Sequence, residues 1–453
     1  MPQTPTVSSL LKSIQVLFVS AFFLIPTADG IIFYYYGEVL NESEDQNQSV
    51  PDNERANIFN AVARVCDENG ENTSGSATYL RGKYLLTANH VSNRSHVTFD
   101  GITFYERDIK FVPKQIVVEG ANVDLKLIKL VEVPVFSGTE IEISLNTDAS
   151  RELVLFDSNG LEVTLVGWGV GRVPNEDDTD PSLTNIWTWG DQSTIAKRWG
   201  SNNIEASTTF NLDDSAYNYE ALVTNLLPRL VSDKIEAGIA RFDSGSGMFA
   251  KINNEWKLVG IATSVTQNSG EGTSTFSFFQ DNPLTSEDDD EIFADLNYFV
   301  RISSYISEIE EAIPNTSTYL GWKIDHGLYD TDAIDTADTD GDGINQLLEF
   351  ALGGDPNQND ASILPTSQLV QDGNETYLEV TLTRPQGLQN ITYTPQITTD
   401  LSNWINLDES SAAPEFTVSD PIDNGEGTES INYRFKLAAA EKLFVRFLIQ
   451  ESS

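Results

Sequence analysis

The sequence predicts an all-β protein, and three observations carry that expectation. Short runs rich in β-branched and aromatic residues recur at 77–80, 84–87, 125–130, 163–166 and 258–263. Glycine or Asp/Asn clusters separate them, the spacing of a β-barrel or sandwich. Toward the C-terminus the runs 377–383, 391–397, 431–437 and 443–449 alternate apolar and polar residues, as a small sandwich would. Helical periodicity is confined to 298–313, which reads as a helix closing the first unit, and to a short apolar helix over 345–352.

At 453 residues the chain exceeds one ordinary core, and its 40% apolar content is enough to bury several. The boundaries that follow are a leader at 1–30, a main unit at 31–313, a polar linker at 314–334, an Asp-rich loop and short helix at 335–354, and a β-rich module at 355–453. Acidic residues number 69 against 27 basic ones, a net charge of −42. Nucleic acid and anionic membrane surfaces are thereby poor partners, because phosphate binding needs a basic face. The same excess supplies ligands for hard cations.

The first 30 residues read as an export signal. Lys12 is their basic residue, an apolar run spans 14–25, and Pro26 ends it. Ala28 and Gly30 offer a cleavage site before Ile31, which places the mature protein outside the cell or in the periplasm. A membrane anchor is the rival reading, since residues 31–36 are apolar again after Asp29. Export normally invites disulfides, yet Cys66 is the one cysteine, so no intrachain disulfide forms. Its apolar surroundings mark it as a core thiol.

With three histidines in the chain, the search for a general base is short. His326 lies in the expected linker and His96 in a polar stretch. His90 closes the run Leu85-Leu86-Thr87-Ala88-Asn89-His90, where a strand leads into small residues. Ser244 sits in Asp243-Ser244-Gly245-Ser246-Gly247, whose glycines permit a tight turn that exposes a hydroxyl beside backbone N–H groups. An α/β-hydrolase elbow is excluded, because neither serine has glycine on both sides at the required spacing. Asp124 heads the alternating strand 124–130, where a carboxylate can orient an imidazole. Each of these residues alone reads equally as structural; their order, His then Asp then Ser, joins them.

The motifs Leu86-Thr87-Ala88-Asn89-His90-Val91, Val123-Asp124-Leu125-Lys126-Leu127 and Asp243-Ser244-Gly245 resemble the three catalytic motifs of trypsin-like serine peptidases. Val166-Gly167-Trp168-Gly169 resembles the strand opening that family's second barrel. The run 258–263 resembles its substrate-binding strand, and 299–306 the start of its C-terminal helix. The resemblance spans roughly 31–312. It implies a double six-stranded antiparallel β-barrel followed by a C-terminal helix, and a secreted serine endopeptidase acting on protein or peptide substrates. His90, Asp124 and Ser244 would form the triad, and the N–H groups of Phe242 and Ser244 the oxyanion hole. A side chain at Phe242 departs from the family's glycine and penalises positive φ. This departure leaves open a catalytically weak or inactive peptidase-like scaffold in an extracellular binding or adhesion protein. Asp243 matches the family's buried aspartate, whose partner would be the amine of Ile31 after cleavage at Gly30. Gly238 would floor the specificity pocket and Thr263, Ser264 and Val265 line it, favouring small or medium apolar side chains.

Asp338-x-Asp340-x-Asp342-Gly343 with Glu349 fits a calcium-loop pattern in full. Alternate carboxylates converge on one cation, Ile344 offers its carbonyl, and Glu349 closes the site with two oxygens. A structural Ca²⁺, not needed for the chemistry, is the expected cofactor. No helix is evident before the loop, so it resembles the single loops of dockerins and thrombospondin type-3 repeats. The β-rich module resembles C-terminal modules of large bacterial exoproteins, with a matrix or cell-surface ligand or a role in export as the open readings.

Overall fold

The computed structural model describes residues 32–33, 48, 52–136, 141–152, 160–174, 186–211, 217–226, 237–265, 275–277, 279–280, 293–407, 416–437 and 442–452. The expected leader, its cleavage site and Ile31 lie outside the described residues. Among the described residues, no helix is long and apolar enough to cross a membrane.

The chain is mostly β, built from several antiparallel sheets. A seven-stranded sheet orders Phe104–Glu106, His96–Thr98, Val62–Cys66, Gly75–Arg81, Tyr84–Thr87, Ala121–Lys129 and Lys114–Val118. An antiparallel bridge between Arg107 and Leu130 links the chain beyond its first edge to the end of Ala121–Lys129. Along that strand Val123, Leu125, Leu127 and Ile128 are buried, and so are Asp124, Lys126 and Lys129. Apolar burial drives the sheet together, and each of the three charged side chains has to find partners inside it.

A nine-stranded sheet follows. Its main path runs Arg198–Ile204, Leu161–Gly167, Gly247–Ile252, Glu255–Val265, Phe293–Arg301, Asn218–Leu226 and Ala206–Asn211. The two edge strands of this path are consecutive in the chain, separated by Glu205. Ile32–Phe33 pairs with Ala237–Gly238, so that Ile32 lies opposite Gly238.

Two expectations for the end of this unit need correction. The helical periodicity over 298–313 does not make one helix: strand Phe293–Arg301 continues to Arg301, and the helix is Ile306–Ala312. Pairing of Phe299 and Val300 with both Glu255–Val265 and Asn218–Leu226 outweighs local preference. Residues 314–334 are also not a linker. Thr318 caps helix Tyr319–Asp325 by accepting from Gly321 N–H, and Tyr319 and Trp322 bury their rings beside Phe350. The buried Lys129 donates to the Ile324 carbonyl (2.7 Å) and to Asp108 (2.8 Å), while Tyr329 donates to the same carboxylate (2.9 Å). Lys83 reaches the Asp325 carbonyl at 3.0 Å. The segment is thus fastened to the seven-stranded sheet, and a helix does precede the aspartate loop. Seven residues are too few for periodicity to reveal it.

Asn345 caps helix Gln346–Leu352, which Gly353 ends in the left-handed region. Beyond it, one sheet orders Thr366–Asp372, Glu375–Pro385, Thr428–Leu437 and Phe416–Val418, with Ile422–Gly425 also on Thr428–Leu437. A second orders Ile405–Asn406, Ile391–Thr398 and Phe444–Glu451. Leu352 from the helix joins their common core with Leu382, Ile397 and Phe435.

Candidate active site

His90, Asp124 and Ser244 come from three separate elements and meet in one line. His90 sits in the turn after Tyr84–Thr87, Asp124 on Ala121–Lys129, and Ser244 in the turn before Gly247–Ile252. Asp124 is buried and accepts twice from His90, at Oδ1 from its backbone N–H (3.0 Å) and at Oδ2 from Nδ1 (2.7 Å). The opposite ring nitrogen, Nε2, lies 2.8 Å from Ser244 Oγ. With Nδ1 donating to the carboxylate, Nε2 is the lone-pair nitrogen that can accept the serine proton.

The serine turn is held from outside its own sheet. Ser76 N–H donates to the Ser244 carbonyl (2.8 Å), Ser76 Oγ to the Phe242 carbonyl (3.1 Å) and Thr78 Oγ1 to the Gly245 carbonyl (3.1 Å). Thr87 Oγ1 closes the set on the Ser76 carbonyl at 2.7 Å. Gly245 has φ +92°, and a Cβ there would lie 1.9 Å from the Ser76 carbonyl oxygen, so this close approach requires glycine. Phe242 has φ +73°, the left-handed conformation that its side chain disfavours. Among the described residues, neither the Phe242 N–H nor the Ser244 N–H has a hydrogen-bond acceptor. They are the two backbone donors that the sequence assigns to a developing oxyanion. Asp243 is fully buried and accepts from the Ala240 N–H at 2.8 Å. Gly167 and Gly169 wrap its carboxylate so closely that a Cβ on either would collide with it.

Lys126 was legible only as part of an alternating strand, yet it is 6% exposed and touches the site. Its Nζ donates to the carbonyls of Asn89 (3.1 Å) and Val91 (2.5 Å), the residues on either side of His90. Burial lowers its pKa to about 8, with Arg107 adding to the shift and Asp124 opposing it.

The expected pocket residues are partly assembled. Ser244 Oγ also lies 3.5 Å from the Thr263 carbonyl, which brings the end of Glu255–Val265 to the serine. Thr263 Oγ1 donates to the Tyr298 carbonyl (3.0 Å) and hydrogen-bonds the Tyr219 hydroxyl (2.8 Å). Gly238 is buried on its own short strand; its neighbours Ala237 and Ile239 share a core cluster against which Val265 packs. Ser264 pairs with Tyr298 beyond a register shift in the same strand. His96 and His326 stand apart, the first beside Ser95, the second ring-to-ring with Trp322. Cys66 is buried, and burial raises its thiol pKa to about 11, an unreactive state at neutral pH.

The aspartate loop forms a second cluster. Ligand oxygens of Asp338, Asp340 and Asp342 lie within 4.8 Å of one another, and so do those of Asp342, Glu349 and Asp360. Asp360 was not anticipated from the loop pattern. Ile344 N–H donates to Asp342 Oδ1 at 2.8 Å. Glu349 is 1% exposed, and neither of its carboxylate oxygens has a partner among the described residues. Burial first, then the charges of Asp360, Asp342, Asp340 and Asp355, pushes its pKa up to about 8. Unpartnered buried carboxylate oxygens beside further carboxylates make an all-oxygen donor set suited to a hard divalent cation. No protein-family model matches the chain, and no curated protein matches it.

Proposed function

We propose that the chain is a serine endopeptidase of the trypsin-like class. The observation that carries this reading is the continuous relay from Asp124 through His90 to Ser244, at 2.7 and 2.8 Å, beside two unengaged backbone donors. His90 Nε2 takes the proton of Ser244 as Oγ attacks a peptide carbonyl. The oxyanion is received by the N–H groups of Phe242 and Ser244, and the imidazolium then protonates the departing amine. Water, deprotonated in its turn by His90, releases the acyl group and restores the serine. Asp124 keeps the ring in the productive tautomer throughout.

The finer architecture belongs to the same proposal: two six-stranded barrels with the relay between them. Supporting it are the Arg107–Leu130 bridge and the two edge strands of the second sheet, consecutive in the chain at Glu205, as a sheet closing on itself would have them. The N-terminal segment is read as an export signal and the enzyme as secreted or periplasmic. Cleavage after Gly30 would leave Ile31 as the new N-terminus, next to Ile32, which pairs with Gly238 five residues before Asp243. N-terminal sequencing that begins elsewhere refutes that maturation. Gly238, Thr263, Ser264 and Val265 support small or medium apolar specificity, which a peptide-library cleavage profile tests. Asp338, Asp340, Asp342, the Ile344 carbonyl and Glu349 are assigned to a structural Ca²⁺, and the β-rich module to an extracellular ligand.

An inactive scaffold is the second reading, favoured by the φ of +73° at Phe242. A fluorophosphonate probe separates the two. Labelling lost in Ser244→Ala supports the enzyme, and an unlabelled parent chain supports the scaffold.

A further inference from the structure

The helix Gln346–Leu352 stands between two groups of side chains. Phe350 packs with Tyr319 and Trp322, while Leu352 enters the core of the C-terminal sheets. The Ala351 carbonyl accepts from Tyr393 (2.7 Å), a residue of Ile391–Thr398. Glu349, on the same helix, joins a cluster with Asp342 and Asp360.

Asp360 belongs to a different segment from the loop. It lies beyond Gly353 and Gly354, just before the short 3-10 turn Ala361–Ile363 that leads to strand Thr366–Asp372. Its own N–H donates to Asp342 Oδ2 (3.1 Å), and its Oδ2 accepts from Asp355 N–H (2.9 Å). The remaining oxygen, Oδ1, is buried and has no partner among the described residues, like both oxygens of Glu349. Gly354 leaves room for the Glu349 carboxylate. A Cβ there would lie 1.6 Å from Glu349 Oε2.

We infer that the cation is held by two chain segments, the aspartate loop and the turn at Asp360, so that its binding fastens the C-terminal sheets to the helix. The inference rests on the calcium reading and adds Asp360 as a ligand, with Gly354 as the residue whose missing side chain admits Glu349. Two oxygens from Glu349, one each from Asp338, Asp340, Asp342 and Asp360, and the Ile344 carbonyl together satisfy a cation taking about six to eight oxygens. That number suits Ca²⁺ better than Mg²⁺, which demands an octahedral shell and keeps its waters.

The test is calorimetric titration of the full chain with CaCl₂, alongside hydrogen exchange of strands Thr366–Asp372 and Glu375–Pro385 with and without Ca²⁺. Asp360→Asn is expected to weaken Ca²⁺ binding at least tenfold and to abolish the Ca²⁺-induced protection of those strands. Gly354→Ala, which retains every carboxylate, is expected to weaken binding comparably. Melting without Ca²⁺ that matches the parent shows that the variants fold. If Asp360→Asn binds within twofold of the parent while Asp340→Asn binds weakly, the loop acts alone and the inference is overturned, with the calcium reading intact. A parent chain that binds no Ca²⁺ at millimolar concentration overturns both.

Discussion

Replacing Lys126 by methionine separates holding the fold from holding the imidazole. At neutral pH the buried ammonium costs roughly 3–4 kcal/mol, from a pKa lowered from 10.5 to about 8. Against this stand two charge-assisted hydrogen bonds, to the Asn89 and Val91 carbonyls, each contributing about 1.5–3 kcal/mol. The two sides nearly cancel, so Lys126→Met is expected to lower unfolding free energy by no more than about 3 kcal/mol. The effect on turnover is larger in proportion. The carbonyls that Lys126 grips flank His90, whose ring must reach Asp124 and Ser244 at once, and a displacement of about 1 Å costs on the order of 100-fold. We expect kcat to fall about 10–100-fold with KM nearly unchanged. Arg107 and Asp124 are the other charges that act on Lys126. Steady-state kinetics across pH 5–9 with parallel urea unfolding makes the check. An unchanged kcat per folded molecule refutes the reasoning.

Asp124→Asn should keep the two contacts to His90 but present Nε2 in the protonated tautomer, lowering kcat about 10⁴-fold with little loss of stability. Gly245→Ala places a methyl group against the Ser76 carbonyl and strains a φ of +92°; a loss of at least about 3 kcal/mol in thermal unfolding is expected. Lys197 is buried against the Phe99 carbonyl (2.9 Å), and burial lowers its pKa to about 7 from 10.5. Between those values the unfolded chain binds the proton and the native chain does not, so stability should rise from pH 7 toward 10.5. That contribution, on the order of 5 kcal/mol, should disappear from the pH dependence of unfolding in Lys197→Met.

What the sequence conceals here is mostly long-range. His90, Asp124 and Ser244 were legible because turn glycines and strand heads leave local marks, and the chain order supplied the rest. Ser76 and Thr78 leave none, since a hydroxyl on a strand looks the same whether it faces water or a carbonyl more than a hundred residues away. Lys126 and Lys129 made Ala121–Lys129 read as alternating, although the strand is buried at almost every position from Val123 onward. Its two lysines are inside because distant carbonyls and a carboxylate receive them. The misread helix at 298–313 is the converse, apolar spacing that partner strands on both sides turn into a sheet. Asp360 escaped notice because the motif ends at Glu349, while the fold continues the cluster through a turn eleven residues on.

Strand Ala121–Lys129 carries Asp124 toward one end, and at the other Lys129 grips the Ile324 carbonyl and Asp108. Helix Tyr319–Asp325 continues that grip through Trp322 and Phe350 to the C-terminal sheets. In mechanical terms this is a load path. A force applied at the C-terminal sheets would meet packed rings and one buried ammonium before it reached the strand that bears Asp124, with no slack tether between.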